Sequence, residues 1–103
     1  MKELTSETFT TETADGITVV DFWAPWCGPC NALTPILKQV EQELGDKVTF
    51  CKVNTQDEQA LASKHNIMSI PCVKIFKDGA EVDEFIGLRP KSAIKSFIEA
   101  HLV

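Results

Sequence analysis

The feature that most constrains this fold is an apolar run followed closely by two cysteines. Residues Ile17–Trp23 have the length and β-branched content of a buried strand, whereas the residues from Asn31 onward carry apolar side chains at helical spacing. Cys27 and Cys30 lie between them, separated by a Gly-Pro dipeptide. This order predicts a strand-to-helix turn with Cys27 at the helix N-terminus. Free backbone N–H groups and the helix dipole favour a thiolate there, so the pattern predicts dithiol–disulfide chemistry.

Three further strands are predicted in the second half of the chain. Residues Val48–Val53 form the first, and Cys72–Lys77 and Ala80–Ile86 form the other two. Asp78 and Gly79 between the last two are a strong hairpin signal, so those strands should be antiparallel.

Four helices complete the pattern. A short one precedes the first strand, and a long one ends at Gly45 and should be kinked by Pro35. Residues Thr55–Glu58 fit a capping box for a third helix that continues to about Lys64, and a last helix opens near Pro90.

The order of these elements predicts an α/β fold. A β-α-β half is followed by a β-β-α half, which gives one mixed central sheet with helices on both faces. A chain of 103 residues is long enough for one core and too short for two, so we expect a single domain over residues 1–103.

Composition bounds the partners and the compartment. The net charge of −5 is spread without a basic run, which argues against nucleic acid and membrane surfaces as partners. Residues Met1–Glu7 contain two acids and no apolar stretch, so we expect neither a signal peptide nor a membrane span, and a cytoplasmic location. In such a reducing compartment four cysteines do not indicate a disulfide scaffold.

Asp21 stands out as an acid inside the apolar strand. Burial there would raise its pKa, whereas an edge-facing aspartate would simply contact water. Lys52 is similarly enclosed between Phe50 and Val53, or else it lies on the surface of a pleated strand.

Several motifs occur in one order along the chain: Val20–Cys30 with the sequence VDFWAPWCGPC, then Pro35, Ile70-Pro71, Lys77–Gly79 and Gly87. In order and spacing they resemble the thioredoxin family over nearly the whole chain. The resemblance implies a protein-disulfide reductase of the thioredoxin fold that binds no cofactor or metal. It also implies a monomer that is reduced by a thioredoxin reductase and acts on disulfide-containing client proteins.

The resemblance assigns roles to four residues. Cys27 would be the exposed attacking thiolate and Cys30 the buried resolving thiol. Asp21 would lie behind Cys30 and accept its proton, with Lys52 near this acid.

The resemblance also implies a client-binding surface. Ile70-Pro71 would form a cis-proline turn that pairs with an extended substrate segment, although the sequence alone predicts a trans bond. A flat apolar rim around Cys27 would consist of Trp26, Gly28, Pro29, Ile67, Ile70, Gly87 and Leu88.

The chain departs from the usual family pattern at Cys72, where threonine is common, and at Asn31, where a basic residue is common. Cys72 would trap the active pair, accept glutathione or tune its potential, or else be a small buried side chain like Cys51. His65 and His101 are predicted on helix surfaces and receive no role.

Three functions remain open at this point. The first is a disulfide reductant, and the second is an oxidant or isomerase of the same fold, against which the Gly-Pro dipeptide argues. The third is non-enzymatic: a docking subunit, or a metal-binding module that uses all four cysteines.

Overall fold

A five-stranded mixed sheet forms the centre of the computed structural model, which describes residues 1–102. The strands are β1 (Lys2–Glu3), β2 (Ile17–Trp23), β3 (Thr49–Asn54), β4 (Cys72–Lys77) and β5 (Ala80–Ile86). Their order across the sheet is β1-β3-β2-β4-β5. The first three are mutually parallel, while β4 is antiparallel to both β2 and β5. The predicted α/β arrangement is confirmed, and the last residue of the predicted domain, Val103, lies outside the described residues.

Four helices cover the two faces of this sheet. They are α1 (Phe9–Thr13), α2 (Gly28–Leu44), α3 (Gln59–Lys64) and α4 (Lys91–Glu99). Helices α2 and α4 share a core with Val19, whereas α1 and α3 share a second core with Val20. Neighbouring residues of a strand point to opposite faces, so β2 separates the two cores. Within residues 1–102, no helix is both long and apolar enough to span a membrane.

The hairpin between β4 and β5 has the backbone that its sequence predicts. Asp78 and Gly79 both have positive φ, of 49° and 88°, as a two-residue turn with the right twist requires. The carboxylate of Asp78 accepts a hydrogen bond from the Gly16 N–H at 2.8 Å, which fixes the hairpin to the start of β2. The predicted bounds of both strands are confirmed.

The structure differs from the sequence-based expectation at two places, one prediction that is wrong and one strand that the sequence does not indicate. Thr55 does not form a capping box, because its hydroxyl donates to the Trp23 carbonyl at 3.0 Å. The side-chain oxygen of Asn54 instead accepts from the Gln56 N–H at 2.9 Å, and α3 starts only after Glu58, which makes no side-chain cap. Strand β1 was not predicted, because two exposed residues carry no readable alternation.

The kink expected at Pro35 does not interrupt α2, which runs as one helix from Gly28 to Leu44. In the preceding turn the Thr34 hydroxyl donates to the Cys30 carbonyl at 3.1 Å. The long helix therefore begins within the cysteine motif, directly after the turn that follows β2.

Candidate active site

Cys27 and Cys30 form a disulfide at the N-terminus of α2, with their Cα atoms 5.2 Å apart. Cys27 is the N-cap residue, and its Sγ accepts a hydrogen bond from the Cys30 N–H at 3.2 Å. Pro29 lies in the first helical turn, where its missing N–H costs nothing. The first turn of the helix therefore directs a backbone N–H at the Cys27 sulfur, an arrangement that favours a negative charge on a helix N-cap.

Both cysteine residues are buried in this oxidised form, with Cys27 5% exposed and Cys30 fully buried. The expectation that Cys27 is exposed is therefore wrong for the oxidised form. The Cys27 Sγ lies 3.9 Å from the Ile70 carbonyl oxygen, so the loop before β4 covers one side of it.

Hydrogen bonds fix the turn that carries Cys27. Its N–H donates to the Ala24 carbonyl at 3.1 Å, and the Asn31 side-chain amide donates to the Pro25 carbonyl at 3.1 Å. Asn31, which stands where the family commonly has a basic residue, thus ties the first turn of α2 back to the loop. It supplies rigidity at this position and no positive charge.

Asp21 is buried in β2, as the sequence predicted, with 1% of its surface exposed. Neither carboxylate oxygen has a hydrogen-bond partner among residues 1–102. Burial raises the pKa of Asp21 to about 7, against the opposing attraction of Lys52. Asp21 shares a face with Val19 and so lies on the side of the sheet that α2 covers.

Lys52 is the register partner of Asp21 on β3 and is half-buried. Its ammonium lies over the indole of Trp23, 5.0 Å from the ring centroid. The family-based prediction that Lys52 is near Asp21 is consistent with this register. The aromatic face attracts the ammonium, so the Lys52 charge is stabilised without a direct ion pair.

An apolar surface borders the cysteine pair. Trp26 is 71% exposed and Leu88 is 51% exposed, whereas Pro71 is buried. The peptide bond between Ile70 and Pro71 is cis, and the Pro71 carbonyl accepts from the Gly87 N–H at 2.9 Å. This hydrogen bond joins the loop before β4 to the residues after β5.

One exposed apolar residue beside the predicted rim, Met68, is not among its predicted members. Met68 is 91% exposed and lines a groove of about 480 Å³ between Trp26 and α3. The loop that contains Met68 has no periodicity, so no pattern could indicate which way its side chain points. Gly28 and Pro29 are exposed, and Ile67, Ile70 and Gly87 are half-buried.

Cys72 packs away from the active pair. It belongs to the core cluster of Phe22, whereas Cys27 and Cys30 cluster with Ala24. Its Sγ lies 3.6 Å from a carboxylate oxygen of Glu84, and burial raises the pKa of the thiol to about 11. This placement favours the interpretation of Cys72 as a small buried side chain.

Cys51 lies in the same cluster as Cys72, fully buried, and burial raises the pKa of its thiol to about 11 as well. The four cysteines are thus divided between two clusters. In the part of the chain that the structure describes, no group of three or more His, Cys, Asp or Glu side chains could hold a metal ion.

His65 lies at the end of α3, as predicted, but it is half-buried and its ring packs against an aromatic cluster. It is 4.6 Å from Phe9, 5.9 Å from Phe22 and 5.7 Å from Phe76, centroid to centroid. His101 is half-buried, and its Nε2 lies 2.9 Å from a carboxylate oxygen of Asp83.

Comparison with known proteins places these features in a family. The family model described as Thioredoxin matches residues 1–100. Thioredoxin of Bacillus subtilis (strain 168) is 41% identical over 98 residues, which cover 95% of this chain and 94% of that protein. Thioredoxin 1 of Synechococcus elongatus is 44% identical over 84 residues, 82% of this chain and 78% of that protein.

The same relationship holds in three dimensions. The crystal structure of Malassezia sympodialis thioredoxin matches this chain with a TM-score of 0.92 at 31% identity, covering 99% of this chain and 93% of that one. Together with the disulfide at the start of α2, these matches show a protein-disulfide reductase that works by dithiol–disulfide exchange. The chain therefore belongs to the thioredoxin family.

Proposed function

We propose that Cys27 is the attacking thiolate, Cys30 the resolving thiol and Asp21 the proton acceptor of this exchange. The Cys27 thiolate attacks one sulfur of a client disulfide, which forms a mixed disulfide and releases the first client thiolate. The Cys30 sulfur then attacks Cys27 while its proton passes to the Asp21 carboxylate. The Cys27–Cys30 disulfide forms, the second client thiolate leaves, and two electrons have passed to the client.

The position of Cys27 at the helix N-terminus carries the first step. The attacking cysteine of a thioredoxin typically has a pKa of about 7, against about 8.5 for free cysteine. This difference raises the thiolate fraction at neutral pH roughly sixteen-fold. The lower pKa also makes the thiolate about four- to fivefold less nucleophilic, which offsets part of that gain. The second step is fast mainly because Cys30 is next to Cys27, so that its attack is intramolecular.

Burial of Asp21 supports its role in the second step. A general base works best when its pKa lies near the operating pH, because it must hold a carboxylate and also bind a proton well. An ordinary aspartate is too weak a base at neutral pH, whereas burial raises the pKa of Asp21 to about 7. The positive charge of Lys52 favours the carboxylate form of Asp21, which helps Asp21 to release the proton to solvent afterwards.

We further propose that clients bind across the apolar rim. An extended client segment would pair with the backbone at Ile70, beside Pro71, while Trp26 and Leu88 supply apolar contact. A surface of this kind selects accessible disulfides and reads little of the client's sequence. The chain would act as a cytoplasmic monomer, and a thioredoxin reductase would return it to the dithiol form.

The redox equilibrium of Cys27 and Cys30 tests this function. The protein is equilibrated with a dithiol buffer of known potential, and free thiols are counted by alkylation and mass measurement. A potential near about −270 mV is expected for a reductant, and Cys72→Ser should leave it unchanged. A potential near about −180 mV or above would instead indicate an oxidant or isomerase.

A further inference from the structure

Three charged residues form a row across neighbouring strands. Glu3 on β1 is in register with Lys52 on β3, and Lys52 is in register with Asp21 on β2. Register partners in a parallel sheet point to the same face, and adjacent strands lie about 4.8 Å apart. Lys52 therefore lies between Glu3 and Asp21 in the sheet, with one exposed and one buried acidic residue as its register partners.

The indole of Trp23 contacts two members of the row, Glu3 and Lys52. Its Nε1 donates to a carboxylate oxygen of Glu3 at 3.4 Å, and the Lys52 ammonium lies over its ring. Trp23 is two residues beyond Asp21 on β2 and so lies on the same face. The Lys52 ammonium thus contacts the same ring that binds the Glu3 carboxylate. It donates no hydrogen bond to Asp21.

The other elements around Asp21 add little charge. On β4 its register partner is the apolar Val73, and α2 contributes the buried Cys30 to this side. Further along α2, Glu41 is paired with the amino group of Met1 at 3.2 Å, so those two charges offset each other. Lys52 and Glu3 therefore dominate the field at Asp21, and they act in opposite directions.

We propose that Glu3 is a positioning residue for the proton transfer, which offsets the Lys52 charge and so keeps Asp21 able to take up a proton near neutral pH. The inference rests on the proposed role of Asp21 as proton acceptor. Glu3 touches neither substrate nor the reacting sulfurs, and it acts through Lys52 and Trp23. Glu3 is exposed on β1, the edge strand of the sheet.

Glu3→Gln tests the inference, because it removes the charge and keeps an oxygen that can accept from the Trp23 indole. The titration of the Asp21 carboxyl carbon is followed by NMR in the oxidised protein. We expect its midpoint to fall by about 0.3–0.5 pH unit, a two- to threefold change in the ratio of carboxylate to acid. Glu3→Lys should shift the midpoint further in the same direction.

Glu7→Gln is the matched control, since Glu7 is exposed on the same N-terminal segment and its loss changes the net charge equally. It should leave the Asp21 midpoint in place. The second readout is the pH profile of the resolution step with a cyclic disulfide peptide, which should move with the Asp21 midpoint in Glu3→Gln.

The outcomes separate the two proposals. An Asp21 midpoint that is the same in wild type, Glu3→Gln and Glu3→Lys overturns the role of Glu3 and leaves that of Asp21 intact. A midpoint that moves while the pH profile of resolution stays fixed overturns the proton-acceptor role of Asp21, and the positioning role of Glu3 falls with it. Both readouts moving together support the inference.

Discussion

At the scale of single residues, the fold keeps a carboxyl group where apolar side chains would be more stable. Asp21 is buried without a hydrogen bond, and its ionised form has only the neighbouring Lys52 as a favourable charge. Buried polar groups are normally satisfied, so an exception indicates a functional constraint. The proposed role of Asp21 as proton acceptor gives a reason to retain this cost.

The pH dependence of stability should reveal that cost. The pKa of Asp21 is about 7 in the folded protein and near 3.9 in the unfolded chain, so its protonated form stabilises the fold. This stability is fully present below about pH 4 and is lost as the pH rises to about 7, a total of about 4 kcal/mol. Asp21→Asn should lack this component.

Urea unfolding of both oxidised proteins at several pH values between 4 and 8.5 measures the difference. We expect Asp21→Asn to gain stability relative to wild type as the pH rises. A stability difference that stays constant over this range would show that Asp21 is solvated or paired in solution. Taking the difference between the two proteins cancels the contributions of other carboxylates.

Cys72 should be inert while the protein is folded. The thiolate is the reactive form, and burial raises the pKa of this thiol to about 11. Iodoacetamide at pH 8 should label Cys27 in the reduced protein, whereas Cys72 and Cys51 should be labelled only in denaturant. Peptide mass measurement locates the label, and rapid labelling of Cys72 in the folded protein would contradict its burial.

At the scale of elements, the hairpin of β4 and β5 is joined by a nearly buried ammonium. Lys74 on β4 is 4% exposed and lies 2.8 Å from a carboxylate of Glu81 and 2.8 Å from one of Glu84, both on β5. The two carboxylates reach solvent, whereas the ammonium does not. Removing the carboxylates and removing the ammonium should therefore change the stability of the protein by different amounts.

Removing the carboxylates should cost more stability than removing the ammonium. Glu81→Gln combined with Glu84→Gln leaves a buried charge without a counter-ion, for which we expect a loss of about 2–4 kcal/mol. Lys74→Met leaves two carboxylates that water can solvate, so its loss should stay below about 1 kcal/mol. Denaturant unfolding at pH 7 compares them, and the reverse ranking would show that Lys74 is hydrated.

At the scale of the whole molecule, the redox state of two residues is coupled to the stability of the entire fold. The Cys27–Cys30 bond closes a loop of only four residues, because the sequence separation is three. Even so short a loop restricts the unfolded chain, and the expected stabilisation is about 2 kcal/mol. The oxidised protein should therefore unfold at a higher denaturant concentration than the reduced protein.

Guanidinium titrations with and without a reductant test this coupling at neutral pH. Cys27→Ser, which cannot form the bond, is the control and should show no effect of the reductant. Equal stability of the two redox forms would mean that interactions of the free thiols in the folded protein offset the loop constraint.

Local sequence patterns specify the parts of this protein that depend on neighbouring residues along the chain. The apolar run Ile17–Trp23 and the motif after it specify a strand, a turn and a helix with Cys27 at its start, and Asp78-Gly79 specifies a hairpin. These signals are local, since periodicity and turn chemistry act over a few residues. The dithiol chemistry could be read from them for the same reason.

Which distant residues meet depends on how the strands and helices assemble. Strand β1 exists because β3 offers it a pairing edge, and this pairing alone brings Glu3 beside Lys52. The same assembly directs Cys72 into a core away from the disulfide and encloses His65 among aromatic rings. Such placements depend on strand order and register, which set the neighbours of each side chain and which local sequence patterns do not encode.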